Sequence, residues 1–358
     1  MKRVSILMIC LMFGFVGMVS ADEAIGVFAN NNTNCLQFIN PTTMQVSAPF
    51  LKGSLGSYGG GLFDVVVTPD GETAIVSNFG DSKIFFIDIS GGFNGTPVLL
   101  GSCDIPFFAE DMDVTPDGKY VLVTDGGFSP YIGVVNIAGR YLVQSFYTGV
   151  HNAQAVAITP DGGMVVVADY FGGAIHSFTL SGSNLAYKQT EWIMPFRPVN
   201  IAISPDGKTV IAATAGHSIL CSFLIDSLGQ VCFKGPIAMP SRNGQSCVFS
   251  HDGTKAYYLS NSQNKGTQVV VLNVTAPGKV SVSGTSIVVS PMRGTSQLFG
   301  VDTIAIDPAG NYLYVANPTV SGGKTGISVI DLALNSQVDF LPAKGIPTGI
   351  AFGTTAEE

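Results

Sequence analysis

The chain is 358 residues long and acidic: 25 Asp and Glu against 17 Lys and Arg give a formal net charge of −8. With no basic run to offset it, this balance excludes a typical nucleic-acid-binding surface, because affinity for phosphates comes largely from clustered Lys and Arg. Only 12% of the residues are charged and 43 are Gly, and β-branched and aromatic residues are frequent, which favours strands and turns over amphipathic helices.

The first 21 residues have the pattern of an export signal. Lys2 and Arg3 precede an apolar segment, 4–19. At its end, the small residues Val19 and Ala21 occupy the positions that a signal peptidase recognises. The segment is shorter than the roughly 20 residues of a membrane-spanning helix. We therefore expect a signal peptide over 1–21 and a mature chain of residues 22–358, without a membrane span, in the periplasm or outside the cell.

Five cysteines remain after the predicted cleavage, so at least one is unpaired. Cys221 and Cys232 flank a predicted turn at 225–228, which would place them opposite each other on neighbouring strands, where a disulfide is possible. Cys247 lies in an apolar strand and is expected to be a buried thiol. None of the spacings fits a zinc site, and we expect neither a metal nor a cofactor.

A short turn motif recurs along the chain at intervals of 44 to 57 residues. Its copies are Thr68-Pro69-Asp70-Gly71, Thr115-Pro116-Asp117-Gly118, Thr159-Pro160-Asp161-Gly162, Ser204-Pro205-Asp206-Gly207, Ser250-His251-Asp252-Gly253 and Asp307-Pro308-Ala309-Gly310. Each copy lies between two short apolar strands, and Pro followed by Asp-Gly is a hairpin signal because Pro fixes φ and Gly accepts a positive φ. A third and a fourth strand follow each hairpin. Four antiparallel strands at this period indicate a β-propeller blade.

The two ends of the mature chain together make up one more blade. Residues 24–46 hold a second and a third strand with no inner strand before them, and residues 348–353 match an inner strand with no partners after it. Pairing them would close the ring, as it must, because an open propeller leaves sheet edges unpaired. The sequence therefore predicts an all-β, seven-bladed propeller of four-stranded antiparallel blades, with the first blade closed by the C-terminal strand.

The second strand of several blades has a recognisable pattern. Tyr314-Val315-Ala316-Asn317, with the looser 74–78 and 257–261, resembles the second strand of the YVTN β-propeller repeat family, and the Ser-Pro-Asp-Gly turn belongs to the same pattern. This resemblance to WD40/YVTN repeat-like proteins implies membership of the quinoprotein amine dehydrogenase-like superfamily. It implies a fold and no particular chemistry, since fold and function separate readily.

Carboxylates cluster near the start of the inner strands of two neighbouring blades. Counted back from the turn proline, residues two and four before it are bulky and apolar, whereas those three and five before it are small or polar and are expected near the axis. Asp64, Asp111 and Asp113 fall at these axial positions, and Glu110 and Asp302 lie close by. They could hold a cation or a cationic group over the channel mouth. Alternatively, each bonds backbone amides and only closes the ring.

Arginines occur on three consecutive loops that lead into inner strands. Arg197, Arg242 and Arg293 could together bind a carboxylate or a phosphate, or they could be solvated loop residues. His151 lies on the loop of the preceding blade. His151, Arg197 and Arg242 form the one set that could supply the acid–base group and the cations of lactone hydrolysis.

The sequence favours a binding or scaffold protein over an enzyme. We expect an exported, monomeric propeller that binds a small molecule or a protein partner, and no nucleic acid, through Asp64, Glu110, Asp111, Asp113, Asp302, Arg197, Arg242 and Arg293. The alternative is a lactonase-type hydrolase or cyclase, which requires His151 and at least one arginine within a few Å of each other in one pocket.

Overall fold

A computed structural model describes most of the chain. It covers residues 24–57, 61–127, 130–149, 151–240, 243–262, 266–289, 302–317 and 325–354. The predicted signal peptide lies outside these ranges. No helix within them is long and apolar enough to cross a membrane.

The described residues form 28 strands arranged as seven four-stranded antiparallel sheets, which are the blades of a propeller. Blade 1 comprises β1 (Ala24–Asn30), β2 (Cys35–Asn40), β3 (Gln45–Val46) and β28 (Pro347–Thr354). Blades 2 and 3 comprise β4 (Leu62–Val67), β5 (Thr73–Asn78), β6 (Lys83–Asp88), β7 (Val98–Asp104), β8 (Ala109–Val114), β9 (Tyr120–Asp125), β10 (Tyr131–Asn136) and β11 (Tyr141–Tyr147).

The remaining blades repeat this order, with the inner strand first. Blades 4 and 5 comprise β12 (Ala153–Ile158), β13 (Met164–Asp169), β14 (Ala174–Ser181), β15 (Asn184–Trp192), β16 (Arg197–Ile203), β17 (Thr209–Ala215), β18 (Ile219–Ile225) and β19 (Val231–Ala238). Blades 6 and 7 comprise β20 (Asn243–Phe249), β21 (Lys255–Ser262), β22 (Gly266–Ala276), β23 (Lys279–Val289), β24 (Ile304–Ile306), β25 (Tyr312–Asn317), β26 (Gly326–Asp331) and β27 (Ser336–Pro342).

The Pro-Asp-Gly turns lie together on one side of the ring, which we call the turn face, and one hydrogen-bond pattern closes them. In blade 4 the Thr159 hydroxyl donates to Asp161 Oδ1 (2.6 Å) and accepts the Met164 amide (3.0 Å). Gly162 adopts a φ of 72°, which an L side chain would strain. Blade 7 replaces the hydroxyl with a carboxylate: Asp307 Oδ1 accepts the amides of Asn311 and Tyr312, each at 2.8 Å. The turn therefore tolerates any side chain that supplies an acceptor at its first position.

The hydrophobic core is divided among the gaps between neighbouring blades. Between blades 3 and 4, Val156 and Ile158 of the inner strand pack with Leu122 and Val134, as the alternation along the strand predicts. Burying one Val or Ile side chain contributes about 1.5–3 kcal/mol. The ring is therefore stabilised by many such contacts in every gap.

Both chain ends pair within blade 1, as predicted. β1 lies between β28 and β2, with Val27 opposite Ala351 and Phe38. The Ile350 amide also donates to the Asp302 carbonyl (2.9 Å), which ties β28 to blade 7. The ring is closed without a free inner edge between blades 7 and 1.

The predicted pairing of Cys221 with Cys232 is wrong. The loop between β18 and β19 spans five residues, because the Asp226 carboxylate accepts the amides of both Leu228 and Gln230. This length shifts the register, so Cys221 lies opposite Pro236 and Cys232 lies opposite Leu224. Both thiols are free. Cys247 is a buried thiol, as predicted, and its Sγ donates to Asn200 Oδ1 (3.5 Å).

Candidate functional site

The second side of the ring, which we call the entering face, is where inner strands begin and second strands end. In blade 4 the first residue of β12, Ala153, pairs with the last residue of β13, Asp169. In blade 5, Arg197 pairs with Ala215 in the same way. Among the described residues, the loop that bears His151 and the first residue of β16, Arg197, lie on this face.

The axial aspartates connect each blade to the next. Asp64 Oδ2 of blade 2 accepts the Met112 amide of blade 3 (3.1 Å), and Asp111 Oδ2 accepts the Val156 amide of blade 4 (2.8 Å). Asp113 Oδ2 likewise accepts the Ile158 amide (2.7 Å). The polar side of each inner strand thus faces the inner strand of the following blade as well as the channel. This geometry matches the ring-closing role that the sequence left open.

Asp302 lies across the channel from these residues. Its Oδ1 accepts Asn200 Nδ2 of blade 5 (3.1 Å). Asp302 and Asp113 keep some solvent contact in the channel yet are enclosed by protein, and this enclosure raises the pKa of Asp302 to about 6 and that of Asp113 to about 7. Burial, and then the charge of Asp302, also raises the pKa of Asp64 and Asp111 well above the ordinary value.

These carboxylates do not form an obvious metal centre. Among the described residues, no group of three His, Cys, Asp or Glu side chains is placed to hold a metal ion. Enclosure by protein raises the pKa of each of these carboxylates, which favours their uncharged forms and so lowers their affinity for a cation. A cation over the channel mouth stays a prediction without support from this arrangement.

Glu110 is buried just below the entering face. Its Oε1 accepts Gln154 Nε2 of the next blade (2.7 Å), and its Oε2 packs against Gly126, where a Cβ would come within 2.1 Å of it. Burial raises the pKa of Glu110 to about 8, despite the hydrogen bond from Gln154. Glu110 is therefore uncharged at neutral pH.

His151 is held at the entering face by a buried carboxylate. Its side chain is 66% exposed, whereas that of Asp169 is fully buried. Asp169 Oδ2 accepts the His151 backbone amide (3.0 Å) and lies 3.4 Å from His151 Nδ1. Asp169 Oδ1 accepts the amides of Asn152 (3.1 Å) and Gly172 (2.8 Å). One carboxylate thus fixes both the loop that bears His151 and the loop after β13.

A second histidine contacts the same carboxylate from within the blade. His176 Nε2 lies 3.3 Å from Asp169 Oδ2, and its Nδ1 lies 2.8 Å from Thr190 Oγ1. Burial alone would raise the pKa of Asp169, but the hydrogen bonds from His176, His151 and Gly172 together lower it below the ordinary value. Asp169 is therefore ionised and can only accept hydrogen bonds, so each imidazole must present an N–H to it.

Arg197 lies beside this pair on the same face. Its guanidinium is 5.5 Å from the ring centroid of Tyr170, which directly follows Asp169, a distance that permits a cation–π contact. The structure places His151 and Arg197 on neighbouring blades of one face. Their closeness in one pocket, which the enzyme alternative requires, stays a prediction. Arg242 and Arg293 lie outside the described residues, so their binding roles stay predictions.

Sequence reasoning missed Asp169, His176 and an aromatic stack. Asp169 ends the second strand, where blades 1, 2 and 7 have Asn30, Asn78 and Asn317, and an Asp at this repeat position was the available signal. The stack consists of Phe63, Phe79 and Phe108, whose rings lie 5.0 and 4.9 Å apart at 26° and 17°. These rings come from three separate segments, and no local pattern marks them.

Comparison with known proteins gives relatives by structure alone. No family model matches the chain, and no curated protein sequence matches it. A protein of unknown function from Desulfotomaculum acetoxidans is similar in structure, with a TM-score of 0.80 and 17% identity over 93% of this chain and 99% of that one.

Two further structures carry lactonase names. The periplasmic gluconolactonase of Pseudomonas aeruginosa has a TM-score of 0.71 and 16% identity over 93% of this chain and 99% of its own. A Bacteroides fragilis protein provisionally named 6-phosphogluconolactonase has a TM-score of 0.71 and 17% identity over 94% and 99%. At such identities the likeness establishes the fold and does not confirm the YVTN family. The chain is a seven-bladed β-propeller.

Proposed function

We propose that this protein is a lactonase-type hydrolase whose reaction centre lies at the entering face, around His151. The observation that carries the proposal is the pairing of exposed His151 with buried, ionised Asp169. A carboxylate that receives the Nδ1–H of an imidazole leaves Nε2 free to take a proton, which is the arrangement of a general base.

The opening of a lactone needs only groups that this face offers. Water attacks the ring carbonyl while His151 Nε2 takes a proton from it, and the carbonyl oxygen becomes an oxyanion. The ring C–O bond then breaks, and the proton on His151 passes to the leaving alkoxide, which gives a hydroxy acid. The Arg197 guanidinium supplies positive charge for the oxyanion or for the product carboxylate.

Two structural neighbours bear gluconolactonase names, and one of them is periplasmic. This agrees with the alternative that the sequence left open and with the predicted export signal. We accordingly propose an exported, monomeric enzyme that works without a metal.

The test is a pH-stat assay of the mature protein against a panel of lactones. We expect His151→Asn to lower kcat/KM by a factor of about 10²–10⁴, because a general base contributes that much. His251→Asn is the matched control, since His251 is exposed in a turn of the opposite face. Absence of hydrolysis across the panel, or full activity of His151→Asn, would contradict the proposal.

Binding without chemistry is the second candidate. It is favoured by the Phe63–Phe79–Phe108 stack, which offers contact area and no reacting group. Ligand binding in calorimetry, combined with no turnover of any lactone, would select this function.

A further inference from the structure

Exposed aromatic side chains occur on the entering face in blades 3 and 4, the blade of His151 and the one before it. Phe108 of blade 3 is 44% exposed, Phe171 of blade 4 is 46% exposed, and Trp192 at the end of β15 is 60% exposed. Large apolar side chains at one concave or loop-lined face are typical of ligand-binding surfaces.

Phe108 is linked to His151 through a short chain of contacts between blades 3 and 4. The neighbour of His151, Asn152, donates from Nδ2 to the Asp125 carbonyl (3.4 Å), and Asp125 Oδ1 accepts the Gly127 amide (2.8 Å). The Phe108 ring lies against Gly127, where a Cβ would be 2.2 Å from its Cδ2. The ring thus lies flat on a glycine, beside the loop that carries His151.

Phe171 lies on the loop that follows β13 of the same blade, and Arg197 begins the inner strand of blade 5. Phe171 packs edge-on against Tyr170, with ring centroids 4.9 Å apart at 80°, and Arg197 lies over the same Tyr170 ring. Because Tyr170 follows Asp169, these groups adjoin the carboxylate that holds His151. In the order of the blades, His151 of blade 4 thus lies between Phe108 of blade 3 and Arg197 of blade 5.

The charges beside these rings are asymmetric. Arg197 and His151 are accessible, whereas Glu110 is buried and uncharged at neutral pH because its pKa is raised to about 8. Asp169 is ionised but fully buried, and its oxygens are taken by hydrogen bonds. The surface thus combines aromatic area with positive charge.

We infer that the ligand of this face is a small molecule with an aromatic or apolar ring and a carboxylate or lactone group, and that a polyhydroxylated sugar acid is not its preferred ligand. This inference rests on the proposed function and narrows its substrate class. A sugar acid needs many hydrogen-bond partners to replace water, since each polar group left unpaired on binding costs affinity. Phenyl rings cannot supply them, but they stack on another ring.

The test compares two carboxylates as ligands of the mature protein: 3-phenylpropanoate, which has a phenyl ring, and gluconate, which has several hydroxyl groups. Isothermal calorimetry measures both, and Trp192, the one tryptophan in the sequence, offers a fluorescence signal at this face. We expect 3-phenylpropanoate to bind at least about tenfold more tightly, as stacking and burial of one ring predict. Dihydrocoumarin, an aryl lactone, should likewise be hydrolysed faster than glucono-δ-lactone.

Variants locate the binding. Phe108→Ala and Phe171→Ala should each weaken 3-phenylpropanoate by about fivefold or more and leave gluconate unchanged. Tyr141→Ala is the matched control, because Tyr141 is 56% exposed on the outer strand of blade 3, away from this face. Thermal unfolding of each variant verifies that it is folded. If only one of the two phenylalanine variants folds, that variant is enough for the test.

The outcomes separate this inference from the proposed function. Equal or tighter binding of gluconate, with lactone hydrolysis intact, overturns the aromatic ligand class and leaves the hydrolase. Tight 3-phenylpropanoate binding that both phenylalanine variants preserve overturns the placement of the ring. If neither carboxylate binds and no lactone is hydrolysed, both proposals are wrong.

Discussion

The turn face and the entering face are built from the same repeat but differ in regularity. On the turn face, five blades close the hairpin with the same hydroxyl-to-aspartate hydrogen bond, as in Thr159 to Asp161. On the entering face, the residue that ends the second strand is Asn78 in blade 2, Asp125 in blade 3, Asp169 in blade 4 and Ala215 in blade 5. Asp169 contacts His151, whereas Asp125 Oδ1 accepts the Gly127 amide. We therefore expect function on the entering face, where equivalent positions of the blades carry different residues.

The sharpest test of this comparison exchanges one aspartate on each face of blade 4. Asp169→Asn should lower kcat/KM by a factor of about 10²–10⁴, because the amide no longer holds His151 in the reactive tautomer. Asp161→Asn, in the turn of the same blade, should leave kcat/KM unchanged. A folded Asp169→Asn protein with normal kcat/KM would break the comparison.

The two faces should also respond to pH with opposite signs. Burial raises the pKa of Glu110 to about 8, so the folded state holds this proton more tightly than the unfolded chain does. This stabilisation is complete below about pH 4 and is lost as pH rises through about 8. On the turn face, hydrogen bonds from Thr115 and Lys119 lower the pKa of Asp117 to about 2, so its contribution is lost only as pH falls through about 2.

Urea unfolding at a series of pH values measures this difference. We expect the free energy of unfolding to fall by several kcal/mol between pH 5 and pH 9. Glu110→Gln should reduce that fall, because the amide still accepts the hydrogen bond from Gln154 and cannot ionise. Asp117→Asn should leave the alkaline limb as it is. If Glu110→Gln loses as much unfolding free energy at alkaline pH as the unaltered protein does, then other groups cause the loss.

The smallest expected effect concerns the turn itself. Thr159→Val removes the buried hydroxyl that bonds both Asp161 and the Met164 amide, and it should cost about 1–3 kcal/mol of unfolding free energy. Thr159→Ser keeps the hydroxyl and should lose far less. Lactone hydrolysis should not change in either variant, and a change would mean that the two faces are coupled.

Local chemistry made the fold predictable from the sequence. Each Pro-Asp-Gly turn fixes its own hairpin through contacts within six residues, and the surplus strands at the two ends give the blade count. The position of Asp169 was visible as a repeat position, but its hydrogen bonds with His151 and His176 join residues 18 and 7 positions away. The phenylalanine stack joins blades 2 and 3, and the shift of Cys232 depends on a loop three residues longer than a pairing of Cys221 with Cys232 would require. Such tertiary contacts leave no local signal.

The pairing of β1 with β28 fixes the order in which the ring can assemble. These strands are the first and last of the chain, so their association closes a loop of more than 300 residues, and the entropic cost of loop closure rises with length. Blades 2 to 7 each pair strands that are neighbours in the chain and can form as the chain emerges. We therefore expect blade 1 to be the last to form, and a chain shortened by its final strand to stall as an open, aggregation-prone intermediate.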